Sequence, residues 1–432
     1  MRITIRATTT TALLVLLLLV GCGPSGSESG ANRKVFTGAT VYDGLRTLSN
    51  AAIVVEDGRV RAIGPAGEVA VPANAERIDL AGKYVTPGWI VGHGHLGGAK
   101  GLQTGPEIYT RETLLDQLGL YARYGGTTIV SLGGDGSEAV ELRDAQNTPD
   151  LNRARLFLAG KIVEGKTPQQ AQAVVADNAA MRVDFIKIRV DDNLGASPKM
   201  PREVSKAIID EAHRRGLRVA VHIFYLNDAK QLLKDGADFI AHSVRDKPVD
   251  DEFIALMKDR DLCLCPTLTR EVSTFVYETV PEFFSDPFFL KEADPAVLEE
   301  LKRPERQQRL RESKSAQQYK QALKVAMANL KRLQDSGVRI VMGTDTGPPA
   351  RFQGYFEHME MDLMAQAGLT PEQILRSATS DAANCLDLKE VGILEPGRWA
   401  DLVVFAANPM ADIKNTRSLE SVWIAGNRVP EK

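Results

Sequence analysis

The sequence has little excess charge, few cysteines and no long apolar run, and each of these absences narrows the class of protein. Its 53 lysines and arginines are nearly balanced by 56 aspartates and glutamates, which gives a formal net charge of −3. Because no basic excess favours a phosphate backbone, we expect no nucleic-acid partner. At 432 residues, 44% hydrophobic and 25% charged, the composition is that of a globular protein with one or two domains.

The apolar stretch at the N-terminus, residues 12–20, is too short to span a bilayer comfortably and indicates a cleaved signal peptide over residues 1–21. The tetrapeptide LVGC that ends at Cys22 resembles the lipobox of bacterial lipoproteins. That resemblance implies a lipid anchor at Cys22, a flexible tether over residues 22–33, and a location on the periplasmic or extracellular face of the cell envelope. A plain secretory signal with an incidental cysteine is the alternative.

Besides Cys22, the sequence has three cysteines, namely Cys263, Cys265 and Cys385. Their number is odd, and Cys263 and Cys265 are too close on one predicted strand to pair easily. We therefore expect no disulfide framework, and we interpret Cys263 and Cys265 as small buried apolar residues.

The remaining chain changes pattern twice. Residues 34–84 consist of short β-rich runs, and residues 389–432 return to strands, which predicts that both segments form one small domain. Between them, in residues 85–388, eight strand-like runs alternate with helical stretches, from VTPGWIVGHGH to VRIVMGTDTG. The sequence thus predicts an α/β fold: a (β/α)8 TIM barrel with a small β-sandwich domain formed by the N- and C-terminal segments.

A long insertion, residues 267–337, separates the seventh and eighth predicted strands. It contains the Phe- and Pro-rich stretch PEFFSDPFF and a highly charged helical segment. Two interpretations stay open: an extended loop with a solvated helix, or a lid over the face of the barrel that carries catalytic sites.

The first predicted strand ends in two histidines, His93 and His95, separated by one glycine. Residues i and i+2 of a strand point the same way, so both imidazoles can bind one metal ion, although a polar strand face is the alternative. The same alternation turns more polar residues inward near the carboxyl ends of later strands. The residues that thus converge at the carboxyl ends of the strands are His93, His95, Lys187, His222, His242 and Asp345.

The motifs around these residues resemble the amidohydrolase superfamily, in the branch of imidazolonepropionase-like and Xaa-Pro or Xaa-Arg dipeptidase-like enzymes. The matching pieces are PGWIVGHGH, FIKI, VHIF, IAHS, GTDTG, PEQILRSATSDAANCLDL and GILEPGRWADLVV. The resemblance implies two metal ions, one held by His93, His95 and Asp345 and the other by His222 and His242, with Lys187 as a carbamylated bridge. A barrel-interior salt bridge is the alternative role of Lys187. The chain departs from the family at Val91, where an aspartate is usual, and this puts the orientation of the ligands in doubt.

The resemblance implies that the protein is a binuclear metal-dependent amidohydrolase that acts on a dipeptide or an N-acyl amino acid. Imidazole and carboxylate-type ligands point to zinc. A hydroxide shared by two ions attacks the amide carbonyl, and Asp345 takes the proton of the water. The alternatives are a mononuclear deaminase, which would carry a glutamate at the position of Tyr225, an ester, lactone or organophosphate hydrolase, and a metal-free binding lipoprotein.

The substrate is expected to be a small molecule with a carboxylate. Arg189 lies on the same predicted strand face as Lys187 but nearer the rim, where its guanidinium can hold a carboxylate in a bidentate way. Tyr225 and Arg270 are further candidates, and each of the three has a structural role as its alternative. Among the remaining histidines, His213 is predicted at a helix C-terminus and His358 on a helix surface. The sequence leaves a homo-oligomer open.

Overall fold

The structure is a computed structural model and describes residues 32–432. The predicted signal peptide and the lipidation site Cys22 lie outside the described residues, so the lipid anchor and the envelope location remain predictions. Within residues 32–432, no helix is both long and apolar enough to cross a membrane.

One sheet combines strands from the N-terminal and C-terminal parts of the described chain. Its members are β1 (Arg33–Tyr42), β2 (Thr47–Glu56), β3 (Arg59–Pro65), β4 (Glu76–Asp79), β5 (Tyr84–Pro87), β16 (Leu402–Phe405), β17 (Leu419–Ile424) and β18 (Asn427–Arg428). The order is β18-β17-β16-β5-β1-β2-β3, with β4 also paired to β1. The antiparallel pair β5–β16 joins the two parts of the chain. Apolar side chains of β1, β2 and β16, including Phe36, Ile53 and Val404, form its core.

Eight parallel strands form the barrel, and all eight predicted strands are confirmed. They are β6 (Trp89–Gly94), β9 (Gly126–Ser131), β10 (Arg155–Leu158), β11 (Phe185–Arg189), β12 (Arg218–His222), β13 (Phe239–Ala241), β14 (Cys263–Cys265) and β15 (Arg339–Ile340); a hairpin, β7 (Ala99–Lys100) with β8 (Gln103–Thr104), follows β6. Parallel ladders join β6 to β9 and β10, and β11 through to β15. Single parallel bridges, Val163–Ile188 and Gly94–Thr346, connect these two groups at both seams. The fold is therefore a TIM barrel with a sheet domain.

Helices connect the barrel strands and cover their outer faces. Alternate strand residues such as Ile186 and Ile188 are fully buried, and α4 buries Val204, Ile208 and Ala212, which are spaced four residues apart on one face. The helices are α1 (Arg111–Arg123), α2 (Ser137–Asp144), α3 (Pro168–Ala180), α4 (Arg202–Arg214), α5 (Leu226–Asp235), α6 (Asp251–Asp259), α7 (Leu268–Val272), α8 (Pro287–Leu290), α9 (Pro295–Leu301), α10 (Pro304–Glu312), α11 (Lys314–Asp335), α12 (Tyr355–Gln366), α13 (Pro371–Ser377) and α14 (Ser380–Leu386). Short 3-10 helices lie at Pro106–Ile108, Val276–Glu278, Glu282–Ser285 and Ile413–Ser418.

A buried ion pair connects the barrel to the sheet domain. Arg155, which begins β10, donates from Nε to Oδ2 of Asp401 at 2.8 Å and from Nη2 to Oδ1 at 3.3 Å. Both side chains are 2% exposed, and the guanidinium lies 4.3 Å from the ring centroid of Trp399. Asp401 also accepts the backbone N–H of Ala425 at 2.8 Å. The pair thus ties the amino end of a barrel strand to two segments of the sheet domain.

The insertion after β14 is folded and packs on the loop and helix that follow β15. Its aromatic residues Tyr277, Phe284 and Phe289 share a cluster with Phe352 and Phe356. Helix α10, by contrast, buries none of its residues, as the solvated-helix interpretation expects. The lid interpretation stays a prediction.

The expectation about the cysteines was wrong, because Cys263 and Cys385 form a disulfide. Their Cα atoms lie 6.0 Å apart across 122 residues of sequence. Cys263 begins β14, and Cys385 lies in α14, which follows the last barrel strand. The closure of the barrel brings these two elements together, a proximity that sequence spacing does not reveal. Cys265 is free and buried, as expected.

The two histidines outside the predicted ligand set lie in different environments. His213 lies in the last turn of α4, as predicted, and its Nε2 is 2.7 Å from Oδ2 of Asp238. The prediction for His358 was wrong, because this residue is fully buried. Its ring nitrogens contact Oγ1 of Thr416 at 3.0 Å and the carbonyl of Tyr124 at 2.9 Å. Helix α12 packs here between the 3-10 helix Ile413–Ser418 and the end of α1, so His358 lies in the interior rather than on the surface.

Candidate metal centre

The six polar residues that the sequence turns inward lie together at the carboxyl end of the barrel. Nε2 of His95 is 2.9 Å and Nε2 of His93 is 3.4 Å from Oδ1 of Asp345. Nζ of Lys187 lies 3.3 Å from Nε2 of His93. The His242 ring is 4.8 Å from that of His93 and 4.2 Å from that of His222, measured between centroids. The histidines thus form one continuous row, with Lys187 beside it.

The GTDTG motif explains how Asp345 reaches this row. A Cβ atom on Gly343 would lie 2.7 Å from the backbone nitrogen of His93, so only glycine lets these two backbone segments approach this closely. Gly347 has φ +115° and lies against the carbonyl of His95. The two glycines of the motif therefore let the end of β15 pack directly against the His-Gly-His segment.

Three of the four histidines have one ring nitrogen engaged by a neighbouring acceptor. Nδ1 of His95 contacts the carbonyl of Gly133 at 2.9 Å, and Nδ1 of His242 contacts Oγ1 of Thr267 at 2.7 Å. For His222 the contact is made by Nε2, which lies 2.8 Å from Oδ2 of Asp191. In each case the partner orients the ring and leaves the other nitrogen for the interior of the site, the arrangement that metal-binding histidines require.

Burial keeps the imidazoles of His93, His222 and His242 neutral. It lowers the pKa of His222 to about 3, against the hydrogen bond with Asp191 that favours the charged form. The pKa of His93 is lowered by burial and then by the charge of Lys187, and that of His242 by burial and the nearby His222. Neutral imidazole is the form that binds metal ions.

Lys187 is 3% exposed and lies among these histidines. Burial lowers its pKa to about 8, although the charge of Asp345 favours the protonated form. The amine of Lys187 therefore loses its proton at a lower pH than the amine of an exposed lysine does. Only the neutral amine reacts with carbon dioxide, so the environment suits the predicted carbamate.

Asp345 is held by Arg351, a residue that the sequence interpretation missed. Nη1 of Arg351 lies 2.5 Å from Oδ2 and 3.1 Å from the carbonyl oxygen of Asp345. Burial raises the pKa of Asp345, but Arg351 and the hydrogen bond with His95 lower it further, so the net pKa is well below its ordinary value. Asp345 is therefore a carboxylate whose Oδ1 faces the histidines.

Left-handed backbone marks the ends of three neighbouring strands of the site. His242, Thr267 and Asp345 have φ of 74°, 49° and 59°. Non-glycine residues adopt this conformation at a cost, and such positions concentrate at functional sites. Each of these residues comes within five residues of the end of its strand.

Helix α12 supports two of these strained segments with buried glutamates that the sequence interpretation also missed. Glu360 accepts the backbone N–H groups of Leu268 and Thr269, both at 2.7 Å, just after Thr267. Glu357 accepts the hydroxyls of Thr344 and Thr346 at 2.6 and 2.9 Å, on either side of Asp345. The motif EHME, from Glu357 to Glu360, could have indicated such a role. Two glutamates three residues apart lie on one face of a helix, and they need polar partners wherever that face is buried.

The three predicted substrate contacts all have protein partners. Arg189 has a side chain 35% exposed and pairs with Asn193 and, at 3.7 Å, with Asp191. The Tyr225 hydroxyl donates to Oδ1 of Asp192 at 2.8 Å. Arg270 is 8% exposed and is held by Glu271 at 3.2 Å. Arg189 alone also lines an adjoining cavity of about 790 Å³; the substrate roles stay predictions.

The donor set fits a metal ion. In the part of the chain that the structure describes, the ligand atoms of His93, His95 and Asp345 lie within 4.8 Å of one another. Neutral imidazoles and a carboxylate are suitable ligands for zinc and similar divalent ions. His222, His242 and Lys187 lie beside this group and offer further nitrogen donors.

The chain is similar in sequence to several proteins. It is 31% identical over 193 residues to an uncharacterized protein of Mycobacterium tuberculosis, a match that spans 43% of this chain and 51%, about half, of that relative. It is 23% identical over 402 residues to the imidazolonepropionase of Mycolicibacterium smegmatis, covering 84% of this chain and 86% of the relative.

Solved structures with the same fold include a putative prolidase from Bifidobacterium longum, with a TM-score of 0.73 and 27% identity over 92% of this chain and 94% of that one. A Xaa-Pro dipeptidase with bound methionine has the same TM-score at 22% identity and covers 93% of this chain and all of its own, a likeness that shows the fold alone. Residues 35–85 match the NagA composite domain. Because residues 84–429 match the amidohydrolase family throughout the barrel and its site, the chain belongs to that family.

Proposed function

We propose that the protein is a metal-dependent hydrolase that cleaves an amide or peptide C–N bond in a small molecule bearing a carboxylate. The observation that carries this proposal is the convergence of four histidines, a buried lysine and a carboxylate at the carboxyl end of the barrel. In TIM-barrel enzymes this end is where catalytic residues lie. The similarity to a putative prolidase, at 27% identity, supports a dipeptide-type substrate.

In this proposal His93, His95 and Asp345 hold one divalent ion, and His222 and His242 hold a second. Lys187 stands between the two groups as a carbamate, because an ammonium would repel both ions whereas a carbamate offers two anionic oxygens. Zinc suits these ligands. When bound, such ions polarise a carbonyl and lower the pKa of water toward neutrality.

Asp345 moves the proton in the proposed reaction. It accepts the proton of the attacking water and returns it to the leaving amine. Arg351 fixes Oδ2, which leaves Oδ1 directed at His95 and His93. The carboxylate is therefore oriented before the substrate arrives, and no reorganisation is needed at that step.

The cavity beside Arg189 is the proposed place for the substrate carboxylate. It lies between the loops that follow β10 and β11, and its lining includes Lys166, Arg189 and Lys199. Lys199 is already paired with Asp228 at 2.7 Å. Arg189, at the end of the Lys187 strand, is the cation of the cavity nearest in sequence to the metal centre.

Replacing Arg189 with methionine is expected to lower kcat/KM for substrates with a free carboxylate by about 10- to 100-fold. This corresponds to the loss of a charged hydrogen bond, about 1.5–3 kcal/mol. Amidated forms of the same substrates are expected to change little. The control is Arg332→Met, which removes an exposed arginine of α11 paired with Asp251. Equal losses for free and amidated substrates would contradict the assignment.

The proposed function is tested by assaying dipeptides, N-acyl amino acids and amino-substituted heterocycles before and after removal of metal by a chelator. We expect cleavage of members of the first two classes, complete loss of that activity on chelation, and recovery on addition of zinc. Activity that survives metal removal would contradict the proposal. Release of ammonia from the heterocycles without amide cleavage would instead favour the deaminase.

A further inference from the structure

Asp191 is a buried carboxylate that directly contacts the metal centre and is not among the six predicted ligands. It lies two residues after β11, and its side chain is 0% exposed. One oxygen, Oδ2, is 2.8 Å from Nε2 of His222. The other, Oδ1, accepts the backbone N–H of Asn193 at 3.0 Å. Both oxygens are therefore engaged, one by the loop and one by the histidine.

The contact determines which nitrogen of His222 carries the proton. A carboxylate only accepts hydrogen bonds, so Nε2 must be the protonated nitrogen and Nδ1 must carry the lone pair. Among the four histidines of the centre, His95 and His242 are engaged through Nδ1 instead. Their partners, a carbonyl and a hydroxyl, are uncharged. His222 thus differs from both in the nitrogen that the orienting partner engages and in the charge of that partner; the carboxylate of Asp345 contacts His95 at Nε2, on the side of the metal centre.

Arg245 stabilises the same corner of the site. It is 1% exposed, and its Nη1 donates to the carbonyl oxygens of Ile223 at 2.8 Å and Ser243 at 2.9 Å. These are the residues that directly follow His222 and His242. Arg245 is itself paired with Glu271 at 2.9 Å. Nη2 of Arg189 lies 3.7 Å from Oδ2 of Asp191, so a cation lies beside the buried carboxylate.

We propose that Asp191 is a positioning residue that fixes the tautomer and ring orientation of His222 and thereby strengthens the binding of the ion held by His222 and His242. A hydrogen-bonded carboxylate orients a metal-binding histidine and raises its basicity, and loss of such a partner typically weakens metal binding 10- to 100-fold. The inference rests on the proposed function, because it assumes that His222 binds a metal ion.

The test compares Asp191→Asn with the wild-type zinc-loaded protein. Asparagine keeps the size and an acceptor oxygen but removes the charge. The rate at which zinc is released to a chromogenic chelator is the readout. We expect about half of the zinc to leave 10 to 100 times faster than in the wild type, with the other half unchanged. Asp191→Ser, which also removes the charge, replaces the first variant if that one does not fold.

A matched control is available at the opposite end of the barrel. Asp238 makes the same kind of contact, 2.7 Å from Nε2 of His213, on a helix outside the metal centre. Asp238→Asn should leave the rate of zinc release unchanged even if it lowers the thermal stability. An equal acceleration in both variants would show a general loss of rigidity and would overturn the proposal.

A second measurement uses the unmodified protein. Long-range proton–nitrogen NMR of histidine rings in the zinc-loaded enzyme should show the proton of His222 on Nε2 and those of His95 and His242 on Nδ1. A proton on Nδ1 of His222, or wild-type zinc release in Asp191→Asn, would overturn the role of Asp191. A wild-type protein that binds no zinc would instead contradict the proposed function.

Discussion

Replacing Lys187 with methionine is expected to lower kcat by at least about 10²- to 10³-fold and to reduce the metal content of the protein. The magnitude is that of removing a charged group that stabilises the transition state. Methionine fills a similar volume, so the barrel interior stays packed. Its thioether cannot replace two anionic oxygens between two borderline cations. The measurements are steady-state kinetics and metal analysis of the purified variant.

The control for this variant is Lys258→Met, on the exposed face of α6, which should leave kinetics and metal content unchanged. In the wild type, labelled bicarbonate should produce a carbamate carbon signal in NMR, and the Lys187 variant should lack it. A Lys187→Met protein with normal turnover and normal metal content would rule out a bridging carbamate and leave the salt-bridge interpretation of Lys187.

Replacing Arg155 with methionine is expected to lower the free energy of unfolding by about 3–5 kcal/mol, because it leaves the charge of Asp401 buried and unpaired. The pair is bidentate, and both side chains are 2% exposed. The metal centre lies at the other end of the barrel strands, so the catalytic constants of the folded variant should be close to those of the wild type. Urea unfolding followed by circular dichroism gives the change in free energy.

Two further variants show whether the loss comes from the unpaired charge. Arg155→Met combined with Asp401→Asn removes both charges and should recover much of the lost stability. Lys206→Met breaks an exposed i,i+4 pair with Asp210 and should cost less than about 0.5 kcal/mol. If Arg155→Met cost no more than Lys206→Met, the pair would not hold the two domains together.

Much of the fold follows from patterns that are local in sequence. The eight barrel strands are short apolar runs at regular intervals, and alternation within a strand correctly separates buried outer residues such as Ile186 and Ile188 from Lys187. The grouping of polar residues at the strand ends is also predictable, because side chains at equivalent positions of parallel strands meet at one edge of the sheet. This is why His93, His222 and Asp345, which are far apart in sequence, are predicted together.

The features that sequence reasoning missed depend on packing between distant elements. The Cys263–Cys385 disulfide requires the last helix to lie beside the start of β14. His358 is buried because α12 packs against the 3-10 helix Ile413–Ser418, the end of α1 and the ring of Phe288. Asp191 lies two residues after β11, and Arg351 lies in the loop between β15 and α12. Their orientation toward His222 and Asp345 depends on loop conformation rather than on strand period. Such supporting residues carry no periodic signal.

The substrate contacts show the same limit. Arg189 was predicted from its strand face, and the structure places it beside a cavity, but its guanidinium also contacts Asn193 and Asp191. Arg270 was predicted at an open rim, whereas the structure buries it beside Glu271. Strand period gives the direction of a side chain at its Cα atom. It does not give the partner that a long side chain finds.

The binuclear centre is tested by the metal-to-protein ratio of the purified mature enzyme, determined together with its hydrolytic activity. Zinc is added stepwise to the metal-depleted protein, and bound metal and amide hydrolysis are followed in the same samples. If the centre is binuclear, we expect activity to rise until about two divalent ions are bound per chain and then to stay constant. Full activity with one ion or fewer would contradict the binuclear centre formed by His93, His95, Lys187, His222, His242 and Asp345.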